Sequence, residues 1–358
     1  MAGIMERKKT KQIKVGNVHI GGDSPISVQS MTNTKTEDIE STINQIKKLE
    51  NSGCEIVRVA VPGEEAAKAL EKICQSSKIP VIADIHFDYK LALFSLDSGV
   101  SGLRINPGNI GAKWKVEEVV KAAASLEVPI RIGVNAGSLE KELLTKYGGA
   151  VPEAMVESAK THIQILEDLD FHNIKVSLKA SDIDRTIKAY TLFSKISELP
   201  LHLGITEAGG LYPGIVKSSI GLGLLLSQGI GDTLRVSLTR DPVEEVRVGF
   251  EILKSLDLRQ KGVDIISCPT CGRCKIDLFK LLEDVEKELV GINKPVKIAI
   301  MGCTVNGPGE AREADIGIAG GDGEGILFKK GKVVKKIPQD KMVEILVKEV
   351  KEMVLGKN

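Results

Sequence analysis

Four of the six cysteines in this 358-residue chain fall in its last hundred positions, at metal-ligand spacing. In the run DIISCPTCGRCKIDL, Cys268 and Cys271 form a CxxC, and Cys274 extends it to CxxCxxC. One tight turn can present two thiolates two residues apart to a single metal centre. Cys303, at the end of the strand-like run IAIMGC, would close the site from a distance. The set suits zinc in a ribbon or an iron–sulfur cluster, and the residues alone leave that choice open. The spacing is not CxxxCxxC, which argues against radical chemistry. Cys54, beside a strand-like run, and Cys74, on a helix-like one, stand alone and read as buried thiols.

A second set of chemically capable residues is spread over the first 257 positions. Short β-rich runs carry Arg58, then Asp84 and His86, Arg104 and Asn106, Arg131 and Asn135, Lys175, Ser177 and Lys179, Thr206 and Glu207, and last Arg235 and Ser237. A buried guanidinium or ammonium is costly unless a carboxylate or an anion meets it. The carboxylates on the same runs, Asp84 and Glu207, are outnumbered by the cations. A doubly or triply charged ligand such as a diphosphate therefore fits the set better than internal ion pairing does. Glu207, expected among cations, would be either their anchor or an acid that protonates a departing or developing oxygen.

Such residues need a scaffold that brings eight separate runs to one place. The runs are 24–30, 55–61, 80–86, 102–107, 129–135, 174–180, 201–207 and 233–238, and amphipathic stretches separate them. They read as apolar on both faces, as parallel strands covered by helices would be. Thr36 is a candidate cap for a helix with Ile39, Ile43, Ile46 and Leu49 on one face, and Asp241–Pro242 opens another. Eight strand–helix units in about 250 residues predict an α/β fold, a TIM (β/α)8 barrel with its chemistry at the carboxyl ends of the strands. A doubly wound open sheet is the alternative, but no GxGxxG follows any of the runs. KQIKVGNVHIGG predicts a small hairpin that seals the barrel bottom.

A barrel domain over 1–257 and a smaller α+β domain over 258–358 follow. The second holds strands at KIAIMGC and ADIGIAG, a hairpin through GILFKKGKVVKKI and a helix over 339–354. Its lysines Lys329, Lys330, Lys332, Lys335 and Lys336 read as a solvated strand edge, or alternatively as a surface for an acidic electron donor. GGDGEG at 320–325 lacks the Lys-Ser/Thr of a P-loop and reads as a turn.

Composition narrows the partners. With 49 Lys and Arg against 48 Asp and Glu, no basic field exists to draw nucleic acid. The twelve aromatic residues are too few for a base-stacking platform. MAGIMERKKTKQ lacks the apolar core of a signal peptide, and GLGLLLSQGI is too short to span a bilayer. A cytoplasmic protein with reduced thiols is expected.

SCPTCGR at 267–273 and MGCTVNGPGEA at 301–311 closely resemble signature segments of the (E)-4-hydroxy-3-methylbut-2-enyl diphosphate synthase family, reductases of the non-mevalonate isoprenoid pathway. VQSMTNT, VRVAVP, ADIHFD, LRINPGNIG, IRIGVNAGSL, KVSLKAS, TEAG and GDTLRVSLT are similar to the same family, so the resemblance spans nearly the whole chain. It implies a TIM barrel followed by a [4Fe–4S] domain similar to those of sulfite and nitrite reductases. Cys268, Cys271 and Cys303 fall on the family's cluster ligands and Glu310 on its carboxylate ligand. Cys274, which the spacing alone would select, is a departure from the pattern. A carboxylate is the harder, weaker iron ligand and leaves room for substrate.

The implied reaction is the two-electron reduction of 2-C-methyl-D-erythritol 2,4-cyclodiphosphate, with ring opening and loss of a hydroxyl as water. By the same resemblance Arg58, Arg104, Arg131, Lys179, Arg235 and Ser237 hold the diphosphate beside Asn106 and Asn135, and Glu207 donates a proton. Asp84 and His86 join the binding set. Lys175 joins it too, as the lysine of its strand that matches less well. The electron donor would be flavodoxin or ferredoxin. The family's head-to-tail homodimer implies that Asn306 reaches the partner's substrate, with a hinge near Leu256–Gly262. Two other readings compete: another phosphate-substrate barrel enzyme with a structural metal site, and a zinc-ribbon binding protein whose barrel is inert.

Overall fold

In the run Ile56–Ala60, Val57 and Val59 alternate with Ile56, Arg58 and Ala60, and that period of two divides the molecule's largest core from its site. The structure, a computed structural model, describes residues 5–292, 294–303 and 311–356. The chain divides into the units Met1–Arg259 and Gln260–Asn358.

The first unit opens with a hairpin, β1 (Ile13–Val15) and β2 (Val18–Ile20). Eight parallel strands follow: β3 (Ser27–Met31), β4 (Ile56–Ala60), β5 (Val81–Asp84), β6 (Gly102–Arg104), β7 (Ile130–Asn135), β8 (Ile174–Lys179), β9 (His202–Leu203) and β10 (Thr233–Leu234). Their order is β8-β7-β6-β5-β4-β3-β10-β9, and a parallel bridge from Val176 to Leu201 brings the two ends together as a barrel. The helices are α1 (Ile39–Asn51), α2 (Glu64–Ser76), α3 (Tyr89–Asp97), α4 (Pro107–Ile110), α5 (Lys113–Ser125), α6 (Lys141–Tyr147), α7 (Pro152–Glu167), α8 (Ile183–Ile196), α9 (Leu211–Ser227) and α10 (Pro242–Ser255).

Outward positions such as Val57, Val59, Ile130, Ile132, Ile174, Val176 and Leu178 build the core under these helices. Each such buried side chain contributes about 1.5–3 kcal/mol relative to exposure. The inward positions are different. Ser27, Gln29, Arg104, Arg131, Lys175, Ser177 and His202 are all buried and polar. The expectation of strands apolar on both faces is therefore corrected: above the barrel floor these strands are apolar toward the helices and polar toward the interior.

The hairpin seals the barrel floor as predicted, with Ile13, Val15 and Ile20 packed on Ile56 and Ile82. The segment before it is strapped to the loops that feed β9 and β10. Met5 N donates to Ser227 O (2.9 Å), Lys8 N to Gly229 O (2.9 Å) and Lys11 N to Glu198 O (2.7 Å). Asp241 caps α10 through Val243 N, with Pro242 in the first turn, as its sequence position suggests. Thr36 does not cap α1. Asp38 does, accepting from Ser41 N, while the Thr36 hydroxyl donates to Ala60 O (2.6 Å).

In the second unit β11 (Val263–Ser267), β12 (Val296–Met301) and β13 (Ile316–Gly320) are parallel, and β14 (Glu324–Lys329) and β15 (Lys332–Pro338) continue the sheet antiparallel. α11 (Leu278–Glu288) and α12 (Met342–Leu355) cover one face through Val285, Leu346 and Val350 on Ile298, Ile300, Ile316 and Ile318. Ala299, Met301, Ala319 and Phe328 cluster separately, as the alternation along β12 and β13 requires. β11 and α11 are not among the elements the sequence predicts. Among the described residues no helix is long and apolar enough to cross a membrane.

Candidate active site

Register brings the barrel's charges into line. Asp84 pairs with Arg104, Arg104 with Arg131 and Arg131 with Lys175, so β5 to β8 carry one carboxylate and three cations in a single row. Like charges on neighbouring strands repel. Each member of the row is held by what surrounds it.

Asp84 lies 3.4 Å from Arg104 Nη1 and 3.7 Å from Arg58 Nε. Burial raises its pKa, but the guanidiniums of Arg58, Arg104 and Arg131 outweigh burial and hold it below the usual carboxylate range. Both His86 ring nitrogens are 3.1 Å from Arg104 Nη1. Burial and then Arg104 push the imidazole's pKa down, so its neutral form accepts from that guanidinium. Arg104 Nη2 and Asn106 Nδ2 both donate to Gly133 O at 3.0 Å, and Gly133 N donates back to Asn106 Oδ1 at 2.9 Å. Glycine at 133 leaves room for that guanidinium, because a Cβ there would stand 2.7 Å from Arg104 Nε.

Arg131 Nη1 donates to Ser177 Oγ (3.0 Å), and burial, with Arg58 and Arg104, pushes its pKa well down. Lys179 is buried beside Gly204, where a Cβ would meet its Nζ at 2.5 Å. Burial and Arg131 lower its pKa strongly. Arg58 rests on Met31 Sδ through Nε (3.2 Å) and Nη2 (3.0 Å). Burial, opposed by Asp84, brings it to about 10, still charged at neutral pH.

Arg235 is clamped by Glu245, Nε to Oε2 and Nη2 to Oε1, each at 3.2 Å. Glu245, fully buried on α10, also accepts from Ser30 Oγ (2.9 Å) and Leu238 N (3.1 Å). Among the described residues Arg58, Arg104, Arg131, Lys175, Lys179 and Arg235 thus face Asp84, Glu245 and, at Lys175, Asp232. Among the described residues Arg104 Nε, Arg131 Nε and Lys175 Nζ are buried without hydrogen-bond partners. Six cations against three carboxylates, with donors left open, is an anion site.

The remaining expected residues sit differently. Asn135 ends β7, half-buried, and Ser237 lies half-buried beyond β10. β9 and β10 are two residues long, so Arg235, Thr206 and Glu207 also lie past their strands. Glu207 is exposed on a left-handed backbone (φ 53°), and its side chain joins no hydrogen bond or ion pair among the described residues. It is not the anchor for the cations; Asp84 and Glu245 are. Sequence reasoning missed Glu245 because it comes from a helix, ten residues beyond Arg235. It also missed His162 on α7, whose Nδ1 accepts from Gly108 N (3.2 Å) and whose Nε2 meets Glu140 Oε1 (3.0 Å). That chain fixes the loop that carries Asn106.

In the second unit Cys268 follows β11 directly, and Cys303 stands two residues beyond β12, its parallel neighbour. Gly302 N donates to Cys268 Sγ (3.3 Å), and Lys275 N to Gly302 O (3.0 Å). Cys274 Sγ crowds Gly302 so closely that a Cβ would lie 2.5 Å away. The same thiol donates to Ile276 O (3.2 Å). Cys271 is exposed in the turn, tied to the cluster by Cys274 N donating to Cys271 O (2.9 Å). Soft sulfur donors gathered at two strand ends, one already accepting a backbone N–H, fit an iron–sulfur centre. Among the described residues no three ligand groups are poised around a metal as they stand. Glu310 and Asn306 lie outside the described residues. Cys54 is buried in the barrel core and Cys74 packs against it. Burial pushes both thiols up to about 12, which makes them inert.

Comparison with known proteins matches the GcpE TIM-barrel domain over residues 10–250 and the GcpE protein C-terminal domain over residues 264–352. The 4-hydroxy-3-methylbut-2-en-1-yl diphosphate synthase (flavodoxin) of Geobacter sulfurreducens is 62% identical over 352 residues, covering 98% of this chain and 100% of that one. The enzyme of the same name from Thermodesulfovibrio yellowstonii is 59% identical over 349 residues, with 98% and 100% covered. Among solved structures, the dihydropteroate synthase of Yersinia pestis aligns with a TM-score of 0.50 and 13% identity over 69% of this chain and 98% of that one. That likeness concerns the barrel fold alone.

Proposed function

Because the chain belongs to the GcpE family, we propose that it is an oxidoreductase of non-mevalonate isoprenoid biosynthesis that takes electrons from a flavodoxin. The substrate in this reading is 2-C-methyl-D-erythritol 2,4-cyclodiphosphate and the product (E)-4-hydroxy-3-methylbut-2-enyl diphosphate. Two electrons enter. The bond from the tertiary carbon to its phosphate oxygen breaks, the neighbouring hydroxyl leaves as water, and a carbon–carbon double bond forms between the two carbons.

The observation that carries the reading is the charge imbalance at the barrel mouth, with buried donors of Arg104 and Arg131 left open. A cyclic diphosphate supplies the missing negative charge. Arg58, Arg104, Arg131, Lys179 and Arg235 would bind its phosphate oxygens, with Ser237, Asn106 and Asn135 beside them. Asp84 and His86 hold Arg58 and Arg104 in aim. Glu207, exposed on its loop, is free to reach the departing oxygen and is assigned the proton. Cys268, Cys271 and Cys303, with Glu310, would hold a [4Fe–4S] cluster, which when bound supplies electrons singly. Cys274 keeps its bond to Ile276 O. A head-to-tail homodimer in the cytoplasm completes the reading. Tyr212, Val216, Ile220 and Leu224, spaced four apart and exposed on α9, offer apolar surface for such pairing.

The test is anaerobic purification with iron, sulfide and zinc analysis, then turnover of the cyclodiphosphate with reduced flavodoxin. Expected are about four irons and four sulfides per chain, product formation, loss of the cluster in Cys271→Ser and its retention in Cys274→Ser. Zinc in place of iron, or iron without product, would overturn the reading.

A further inference from the structure

The row of charge across β5 to β8 ends in Lys175, a residue expected from the sequence to bind substrate but buried and left out of the phosphate contacts assigned above. Lys175 is 1% exposed, and its Nζ has neither a hydrogen-bond nor an ion-pair partner among the described residues. It sits four residues before Lys179 on β8, about 13 Å back along the strand at the usual rise. Arg131 is its partner in register on β7, yet it turns its guanidinium two residue pairs toward the mouth, to Ser177.

The inward positions of neighbouring strands carry other unsatisfied atoms: Ser27 Oγ and both side-chain polar atoms of Gln29 on β3, His202 Nε2 on β9 and Arg131 Nε on β7. His202 is fixed through Nδ1 by Thr233 Oγ1 (3.1 Å), and Lys175 is among the charges that depress its pKa. Buried polar atoms that protein does not satisfy are satisfied by ordered water. The nearest influential carboxylate, Asp232, does not neutralise Lys175. Its oxygens are taken by Thr10 Oγ1 and Leu201 N, each at 2.8 Å. Burial, then Arg131, lowers the ammonium to about 7 against the pull of Asp232, so the charge is disfavoured where it stands and is fully present only below neutral pH.

We infer that Lys175 is a positioning residue of the anion site: hydrated inside the barrel by way of Ser27, Gln29 and His202, it repels Arg131 from below and holds that guanidinium at the mouth against Ser177. Register places the two cations directly opposite one another. The Arg131 Nη1 bond to Ser177 Oγ, two residue pairs closer to the mouth than Lys175, is the geometry such repulsion selects. Without an anion the stacked charges destabilise the barrel. With one, Arg131 delivers its charge to the ligand.

This inference rests on the reading of the mouth as a diphosphate site, and the test separates the two. Inorganic pyrophosphate is titrated calorimetrically into the full-length wild type and Lys175→Met, and both are melted without ligand. Removing an unpaired buried charge should raise the melting temperature by a few degrees. Losing the support of Arg131 should weaken pyrophosphate binding at least about tenfold. A lower melting temperature with unchanged affinity would make Lys175 merely structural and overturn the inference, as would no change in either. Wild type that does not bind pyrophosphate would remove the diphosphate reading and this inference with it. Should the methionine variant not fold, Lys175→Gln keeps a partner for water, drops the charge and decides by the same criteria.

Discussion

Replacing Gly133 with alanine should damage anion binding more than stability. The new Cβ would lie 2.7 Å from Arg104 Nε, 3.1 Å from Nη2 and 3.3 Å from Cζ, against an ordinary contact of 3.4 Å or more. Those atoms are the far end of a long side chain, so the guanidinium withdraws and β7 stays in place. The withdrawal breaks the Nη2 bond to Gly133 O and loosens the pairing with Asp84. A hydrogen bond from a charged group is worth about 1.5–3 kcal/mol. Folding recovers about 0.4–1 kcal/mol because alanine restricts the unfolded chain, whereas binding recovers nothing. At about 1.4 kcal/mol per decade, pyrophosphate affinity should fall roughly ten- to hundredfold, while stability in urea falls by about 1–2 kcal/mol. Gly137→Ala is the control, since nothing lies within 4 Å of its Cβ position. Binding within twofold of wild type in Gly133→Ala, or an equal loss in the control, would refute the reasoning.

Glu245→Gln leaves Arg235 without its buried carboxylate and should cost about 2–4 kcal/mol of stability. Saturating pyrophosphate should restore part of that, because the anion takes over as partner. An unchanged denaturation midpoint would contradict this. His162 is neutral in the fold, accepting from Gly108 N, and burial, opposed by Glu140, holds its pKa below 6.5. The unfolded chain therefore takes up the proton first as pH falls. The contribution of His162 is complete above pH 6.5 and drains away below it, through the lower folded value. Stability measured against pH should show a shallower acid limb in His162→Gln, and superimposable limbs would remove His162 from that role.

The barrel is legible because its outward positions, Val57, Val59, Ile130, Ile132 and their like, repeat with a strand's period between amphipathic helices. The cationic mouth is legible because Arg58, Arg104, Arg131 and Lys179 occupy the alternate positions of those strands. The polar interior is misread because Gln29, Ser177 and His202 do not look buried one at a time. Their burial becomes visible only when the strands close around them. Glu245 and His162 are hidden for a different reason: each reaches the site's supports from a helix, and helix-borne polar residues ordinarily face solvent. β11 hides beside Cys268 because its five residues are all half-buried and carry no alternation.

The floor of the barrel has a consequence for how the protein is made. Residues 5–20 are synthesised before any barrel strand, yet their partners are Ile56 and Ile82 for the hairpin and Glu198, Ser227 and Gly229 for the strap. At 5–20 residues per second, roughly ten to forty seconds of translation separate the hairpin from the last of those partners. During that interval the segment is an exposed tail, open to proteases. It becomes protected only when β9 and β10 have arrived, so its docking reports that the ring of strands is complete.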